Sequence, residues 1–537
     1  MAAPGPRARP GWALFVVSIP VFAVCVNTTA INTALPDIAD HLNTRVGALQ
    51  WVMNAYILAA AAFVVTGGQL GDVLGRRRMF VVGCLIFGAA SVVIALSHSA
   101  AQLVGGRALQ GLGSAVIVPT SLSIVGVEYS PQRRTGAIAL WAGVVGLGLA
   151  VGPLIGGVLT DSFGWPWVWW ANLPVMGVTI ALALARIRES SEDRELHVDV
   201  PGIALLALAA VLFVLALTEG RTWGWSSGRV LGLLAGGVVA FAGFLAVERR
   251  ARAPLVHLRF FRSAQFVGAN LAMFASMFVL FGGLYVFNLY LQSFVTHGYS
   301  PARTGAALLP MSIWLFLAAL LGARTVARLG YVFTVTGSFV LAAVGLFLLA
   351  GVDPGSGYTA LVPGFVLVGI GMGISGGPIS SAAVSAVPEE DAGEASGVVN
   401  MSRYLGGAFG IAATAVVYFT ESVSHLNRGL PAVGAHEKGS LDAVLSGSAG
   451  SAREAVAGLD PSQHERFLGV APSAVVHGFT GAARVMAAAA IVGAVGSAWT
   501  MRRRARREHA ALHAAAHAAA PILTAHHYAS RAAQAAR

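Results

Sequence analysis

Residues 49–97 read LQWVMNAYILAAAAFVVTGGQLGDVLGRRRMFVVGCLIFGAASVVIALS. Two apolar blocks, 49–69 and 79–97, flank the short segment Gly68-Gln-Leu-Gly-Asp-Val-Leu-Gly-Arg-Arg-Arg78, which holds every charge in the stretch. Each block is about as long as a helix needs to be, at 1.5 Å per residue, to cross roughly 30 Å of hydrocarbon. The stretch therefore reads as two membrane-spanning helices joined on one side of a bilayer by a basic turn.

Outward from this hairpin the pattern repeats along the whole chain. Apolar blocks lie near 12–34, 49–69, 79–97, 101–126, 136–160, 167–186, 201–219, 229–247, 264–291, 304–323, 332–351, 359–386, 394–418 and 478–500. Of the 537 residues, 56% are hydrophobic and 11% are charged. A soluble domain carries about 25% charged residues, so this chain lacks the charge to cover a water-facing surface. The expected fold class is an all-α polytopic membrane protein with fourteen transmembrane helices. Arg7 and Arg9 before the first block resemble a signal peptide. That block runs past twenty residues and ends in Asn32-Thr-Ala-Leu-Pro36 without a small-residue cleavage site, so it is read as the first span. Cys25 and Cys84 sit inside apolar blocks, where neither a disulfide nor a thiolate metal site is expected.

Arginine sets the orientation. With the N-terminus in the cytoplasm, the inner loops and tail collect 24 of the 35 basic residues, including Arg76–Arg78, Arg133, Arg134, Arg186, Arg188, Arg194, Arg249, Arg250, Arg252, Arg324 and Arg328. Positive charge resists translocation, so both termini are expected inside and the helix count even. The net charge of +11 is thereby assigned to the membrane rather than to nucleic acid. Trp165, Trp167, Trp169, Trp170, Trp223 and Trp225 fall at outer boundaries, as an aromatic belt would.

The loop after span 10, Gly322–Gly330, is a degraded copy of Gly68–Arg78, and spans 5 and 13 are both glycine-rich. These similarities divide the chain into a cytoplasmic N-terminus (1–11), an N-terminal six-helix bundle (12–186), two inserted helices with linkers (187–263), a C-terminal six-helix bundle (264–500) with a long, partly helical external loop over 420–476, and a basic, His-rich tail (501–537). Internal repeats of this kind underlie most secondary transporter folds. In the tail, His509, His513 and His517 share a helical face, but no carboxylate or closed ligand set accompanies them. No metal and no cofactor are expected.

Four local patterns carry chemistry. The turn Gly68-x-x-Gly71-Asp72-x-x-Gly75-Arg76 combines residues for a tight bend with a carboxylate able to face a helix N-terminus or an arginine. Span 4 carries Gly106-Arg107-Ala-Leu-Gln110, and an arginine inside a span costs about 2.5 kcal/mol or more unless it finds polar partners. Span 5 carries Gly148-x-x-x-Gly152-Pro153-x-x-Gly156-Gly157, whose small residues permit close helix approach while Pro153 opens the hydrogen-bond ladder. Span 1 carries Asn27-Thr-Thr-Ala-Ile-Asn-Thr-Ala-Leu-Pro36. Together they resemble the major facilitator superfamily, in its fourteen-helix drug:proton antiporter branch, over nearly the whole chain. The resemblance implies two rocking halves, a gating loop (Gly68, Gly71, Asp72, Gly75, Arg76) and an antiporter motif (Gly148, Gly152, Pro153, Gly156, Gly157). It also implies a non-enzymatic, monomeric exporter of a small molecule, such as a drug, antibiotic or secondary metabolite, driven by protons across the cell membrane. Thirty-four arginines against the single Lys438 suggest a high-GC, actinobacterial source.

One departure stands out. The branch usually places an acid where this chain has Asn27, and no Asp or Glu falls within a span interior. The remaining titratable candidates are Asp37, His477 and Asp72. Asn27, Asn54 and Arg107 are expected at a common depth, roughly 10 Å below the outer surface, with Arg107 bonded to Asn27 and Asn54 and with Gln110 a turn deeper. Such a site is net positive and suits neutral or anionic aromatic compounds better than lipophilic cations. In the second half, Tyr285, Asn288 and Gln292 share a face, as do Asn400 and Arg403, and these are further substrate or coupling candidates. No Gly-x-x-x-x-Gly-Lys-Ser/Thr loop is present, which disfavours nucleotide-driven export. A native-metabolite exporter (of an amino acid or siderophore) and a non-transporting membrane sensor are the alternatives.

Overall fold

A computed structural model describes residues 10–500 apart from 43, 45, 192–198, 252–253, 389–390 and 430–463. Among these residues every regular element is helical. The first five helices are α1 (Pro10–His41), α2 (Val46–Leu74), α3 (Arg76–Ala95), α4 (Ala100–Glu128) and α5 (Pro131–Phe163). A single turn at Trp167–Trp170 leads into α6 (Asn172–Arg186). Then come α7 (Val200–Trp223), α8 (Gly228–Glu248) and α9 (Ala264–Gln292). The face that carries the start of α1 is called proximal below, and the opposite face distal.

Short polar residues start these helices by accepting otherwise orphaned N–H groups. Ser99 accepts from Gln102 N while Gln102 Oε1 accepts from His98 N, a reciprocal cap on α4. Ser227 and Ser263 cap α8 and α9 in the simpler one-way form.

Thirteen helices among the described residues are long and apolar enough to cross a membrane, and one of them is long enough to do so twice. Leu309–Ala350 has 42 residues, which as one straight rod would be about 63 Å, twice a bilayer core. Gly330 breaks it with φ 75° and ψ 168°, a backbone state open essentially to glycine alone. The two pieces, α10 (309–329) and α11 (331–350), both pack on α12 (Val362–Val384). Gly369 and Gly373 of α12 touch the carbonyls of Met311 and Leu315, so α10 runs parallel to α12. Gly371 touches Ser338 while Gly364 touches Gly345 and Leu349, so α11 runs antiparallel. Gly330 is therefore the bend of a helical hairpin.

The same pairings recur eight helices apart. On α5, Gly152 and Gly156 receive the backbone of Val26 and Ala30 of α1. On α13 (Ala392–Gly429), Gly406 and Gly410 receive Phe274 and Phe278 of α9. In both cases the fit is so close that a Cβ would lie within 2.4 Å of a facing carbonyl oxygen, at Gly156, Gly406 and Gly410. Gly111 of α4 against Tyr56 of α2 corresponds to Gly369 of α12 against Met311 of α10. Backbone contact through small residues is how helices associate where lipid offers no hydrophobic driving force. The inserted pair α7–α8 stands outside this repeat, with α7 lying on both α2 and α13 and Phe213 meeting Phe409 at 6.4 Å.

The helical part expected within 420–476 is extensive: α13 continues to Gly429, and α14 is described over His464–Thr500. At 38 and 37 residues these helices are about 57 and 55 Å long and project past the distal face. Leu426 packs there on Phe467, Ala471 and Ala474, a narrow apolar stripe hidden in a polar sequence. Residues 430–463, the N-terminus before Pro10 and the tail 501–537 lie outside the described residues. The expected tryptophan belt is only partial. Trp167, Trp223 and Trp225 are exposed, but Trp165 and Trp169 are buried and meet edge to face at 5.8 Å.

Candidate functional site

Arg107 is fully buried, and burying a guanidinium is costly to the extent that its donors lack partners. Its Nη1 donates to Asn27 Oδ1 at 2.9 Å and to Gln110 Oε1 at 2.6 Å, and its Nε donates to the Val52 carbonyl at 3.0 Å. The Tyr56 ring lies under the guanidinium at 4.2 Å, a cation–π contact. Gln110 Nε2 then donates to Ser91 Oγ at 2.9 Å, and Asn172 Nδ2 donates to the same hydroxyl at 3.3 Å. Helices α1, α2, α3, α4 and α6 thus all contribute to one polar cluster in the N-terminal half.

No carboxylate takes part in these contacts. Arg107 Nη2 and Asn27 Nδ2 are buried donors without an acceptor. The expected bond from Arg107 to Asn54 does not form. Asn54 is buried with both side-chain atoms unpartnered, and the group of α2 that meets the guanidinium is the Val52 carbonyl. Ser91, Asn172 and Tyr56 were not singled out from the sequence. A serine or asparagine in an apolar span was the only signal available.

The motif in α5 works at the distal end. Gly152 faces Thr29, and Thr29 Oγ1 donates to the Leu149 carbonyl at 3.2 Å. Gly148 faces Phe22 and Cys25 of α1. Gly157 meets the backbone of Pro301, and the Pro153 carbonyl meets Gly305, across the boundary between halves. The short helix Pro301–Ala307 is further held by Asp161, whose Oδ2 accepts from Ser300 Oγ at 2.7 Å and from Ala302 N at 3.1 Å. Gln292 Nε2 donates to the Thr33 carbonyl at 3.1 Å and to Asn288 Oδ1 at 3.1 Å. Tyr285 lies against Gln50. The distal end is closed by contacts between halves.

Asn400 and Arg403 are not brought to the Arg107 cluster. Asn400 Nδ2 donates to its own helix at Ser396, while Arg403 faces Cys25 of α1 and keeps a buried Nε without a partner. Both cysteines are free and buried.

At the proximal face, Arg76 pairs with Asp72 at 2.8 Å one turn earlier. The carboxylate on the α3 N-terminus is Glu189, from beyond α6, which accepts from Arg77 N at 3.0 Å and Arg78 N at 3.1 Å. Gly75, at φ 111°, is required here, since a Cβ would lie 2.7 Å from Glu189 Oε1. Nearby, the His257 ring bonds Glu394 and Arg259 binds Asp391 at 2.7 Å, clasping the start of α13. Gly68 and Gly71 lie against Pro119 and Thr120 of α4.

The sequence pattern described as the Major Facilitator Superfamily matches residues 17–411. This chain belongs to that superfamily. The chain is also 33% identical to the tetracenomycin C resistance and export protein of Streptomyces glaucescens over 510 residues, covering 93% of each chain. It is 31% identical to the multidrug resistance protein Stp of Mycobacterium tuberculosis over 423 residues, covering 78% of each. Among solved structures, a bacterial homologue of the lysosomal transporter Spinster, crystallised inward-facing and unoccupied, superposes with a TM-score of 0.61 at 15% identity, over 93% of this chain and 98% of the other. That likeness concerns the fold alone.

Proposed function

We propose that this superfamily member is a secondary active exporter of drugs, antibiotics or other secondary metabolites across the plasma membrane, working by alternating access with both termini in the cytoplasm. The positive-inside distribution supports that orientation, which makes the proximal face cytoplasmic and the distal, closed end external. The proton gradient is the proposed energy source. Its entry point is the distal seal, where Asp37 lies close to Asp161 and accepts from the Trp165 backbone, and where Asp161 holds the opposite half.

The observation that carries the reading is the buried Arg107, whose partners are all neutral and which retains a free donor beside Asn27. An uncompensated cation inside a membrane protein marks a substrate or ion pathway. It supports a substrate that brings acceptor oxygens. The working substrate site comprises Asn27, Arg107 and Gln110, and Gln292, Asn288, Tyr285, Asn400 and Arg403 belong to the facing half.

The test uses inverted vesicles from an expressing strain. Uptake of tetracenomycin C or puromycin is followed with the pH gradient and the membrane potential dissipated separately by nigericin and valinomycin. ATP-independent uptake that collapses with nigericin is expected. Vesicles that move neither compound, nor an amino acid or siderophore, under any gradient would instead support the sensor reading.

A further inference from the structure

The chain of hydrogen bonds through Arg107 has two ends, Asn27 on α1 and Asn172 on α6. Both ends line one cavity. It occupies about 470 Å³ between α1, α5 and α6 and runs along α1 from Phe15 to Ala30, some 22 Å at 1.5 Å per residue. Its remaining lining is apolar except for Ser18. Phe15 and Leu147, which line it, are exposed, so the cavity is open at the surface of the helix bundle beside α1 and α5. Asn27 and Asn172 are each at least nine-tenths buried, and Asn27 Nδ2 has no acceptor.

We propose that this groove is a binding site for the exported compound itself, entered from the bilayer. Its ligand is an amphiphile with an apolar, aromatic-sized body and an acceptor oxygen, anionic or carbonyl. The walls hold the body by excluding it from water, and Asn27 Nδ2 donates to the oxygen at the floor. Arg107, one bond behind Asn27, makes that floor electropositive. A cation has no acceptor to offer and meets the same field as repulsion. A lipid acyl chain would fill the walls but leave the Asn27 donor unmet, which is why the compound and not a lipid is assigned.

This assignment deepens the exporter reading and rests on it. It is tested by binding, so its failure leaves export standing. The full chain in nanodiscs is titrated with 8-anilinonaphthalene-1-sulfonate and with N-phenyl-1-naphthylamine, the same apolar body without the sulfonate, and empty nanodiscs are subtracted. Asn27→Leu is expected to weaken the sulfonate tenfold or more and to leave the neutral amine within twofold. Val144→Trp and Val175→Trp, which fill the groove, are expected to weaken both probes at least tenfold. Should either tryptophan variant fold poorly, Val175→Cys supplies the second measurement, and maleimide labelling there is expected to slow at least fivefold with the sulfonate bound. Equal loss of both probes in Asn27→Leu, wild-type binding in folded tryptophan variants, or unprotected labelling would overturn the proposal. So would mass spectrometry showing a retained phospholipid that the tryptophan variants lose while probe binding is unchanged.

Discussion

Replacing Asn27 by Asp puts a carboxylate 2.9 Å from Arg107 Nη1, where a neutral amide oxygen now sits. Two unit charges 4 Å apart interact by about 4 kcal/mol at an effective dielectric of 20, or about a thousandfold in an equilibrium constant. That is the ceiling on what Arg107 offers an anion held beside Asn27, and relaxation of the site reduces it. The new carboxylate cancels that attraction, so export of an anionic substrate should fall by at least tenfold. A cation such as ethidium should gain. Stability should change little, because desolvation of a buried ion pair roughly offsets its Coulomb energy. The assay is efflux of 8-anilinonaphthalene-1-sulfonate and of ethidium from energised cells across external and internal pH. The introduced carboxyl also adds a titration. As pH falls it takes up a proton, the site returns to net positive, and anion export recovers. Unchanged rates for both dyes together with an unchanged pH profile would refute the claim that Arg107 lacks a counter-charge.

Other consequences follow from the gate and the bends. Gly157→Val places side-chain carbon where even a Cβ would lie 2.2 Å from the Pro301 carbonyl. The distal ends should separate, and thiol labelling of Ser300→Cys from outside should speed up several-fold; unchanged labelling would remove α5 from the gate. Gln292→Leu loses the bond to Thr33, about 1 kcal/mol, so the ratio of distal-closed to distal-open molecules should drop roughly fivefold by spin-label distance measurements. Gly330→Ala forces a β-carbon onto φ 75°, a strain of about 1–3 kcal/mol. The thermal midpoint in detergent should fall by a few degrees. His297, between Tyr290 and Tyr299 in the distal loop, is held below the ordinary histidine pKa by burial first and by the Arg303 charge second. Its folded pKa is depressed, so the neutral ring's contribution is present above the unfolded pKa and is lost as pH falls. Acid sensitivity of the distal loop by hydrogen exchange should therefore shrink in His297→Phe.

Composition and periodicity were enough to establish a membrane-spanning helical bundle, because an apolar block near twenty residues long has no other stable use. The fourteen crossings were legible too, including the pair that Gly330 joins into a continuous-looking element. Arg107 announced itself because a charge in a span must be paired, and Asn27 was named as its partner from the family resemblance together with depth. Depth could not choose between Asn54 and the Val52 carbonyl, since helix rise gives height while rotation about the axis decides which group faces the guanidinium. For the same reason Ser91 and Asn172 stayed invisible until α3 and α6 were packed. Glu189 on the α3 N-terminus lies more than a hundred residues from the turn it caps, and no local pattern links them. The extent of the projecting ends of α13 and α14 was not legible, because their apolar stripe is only a few residues wide. The sequence by itself determined what must be buried in lipid and what charge must be satisfied there. Only tertiary packing decided which neutral groups satisfy it, and that its network opens on a groove in the side of the bundle.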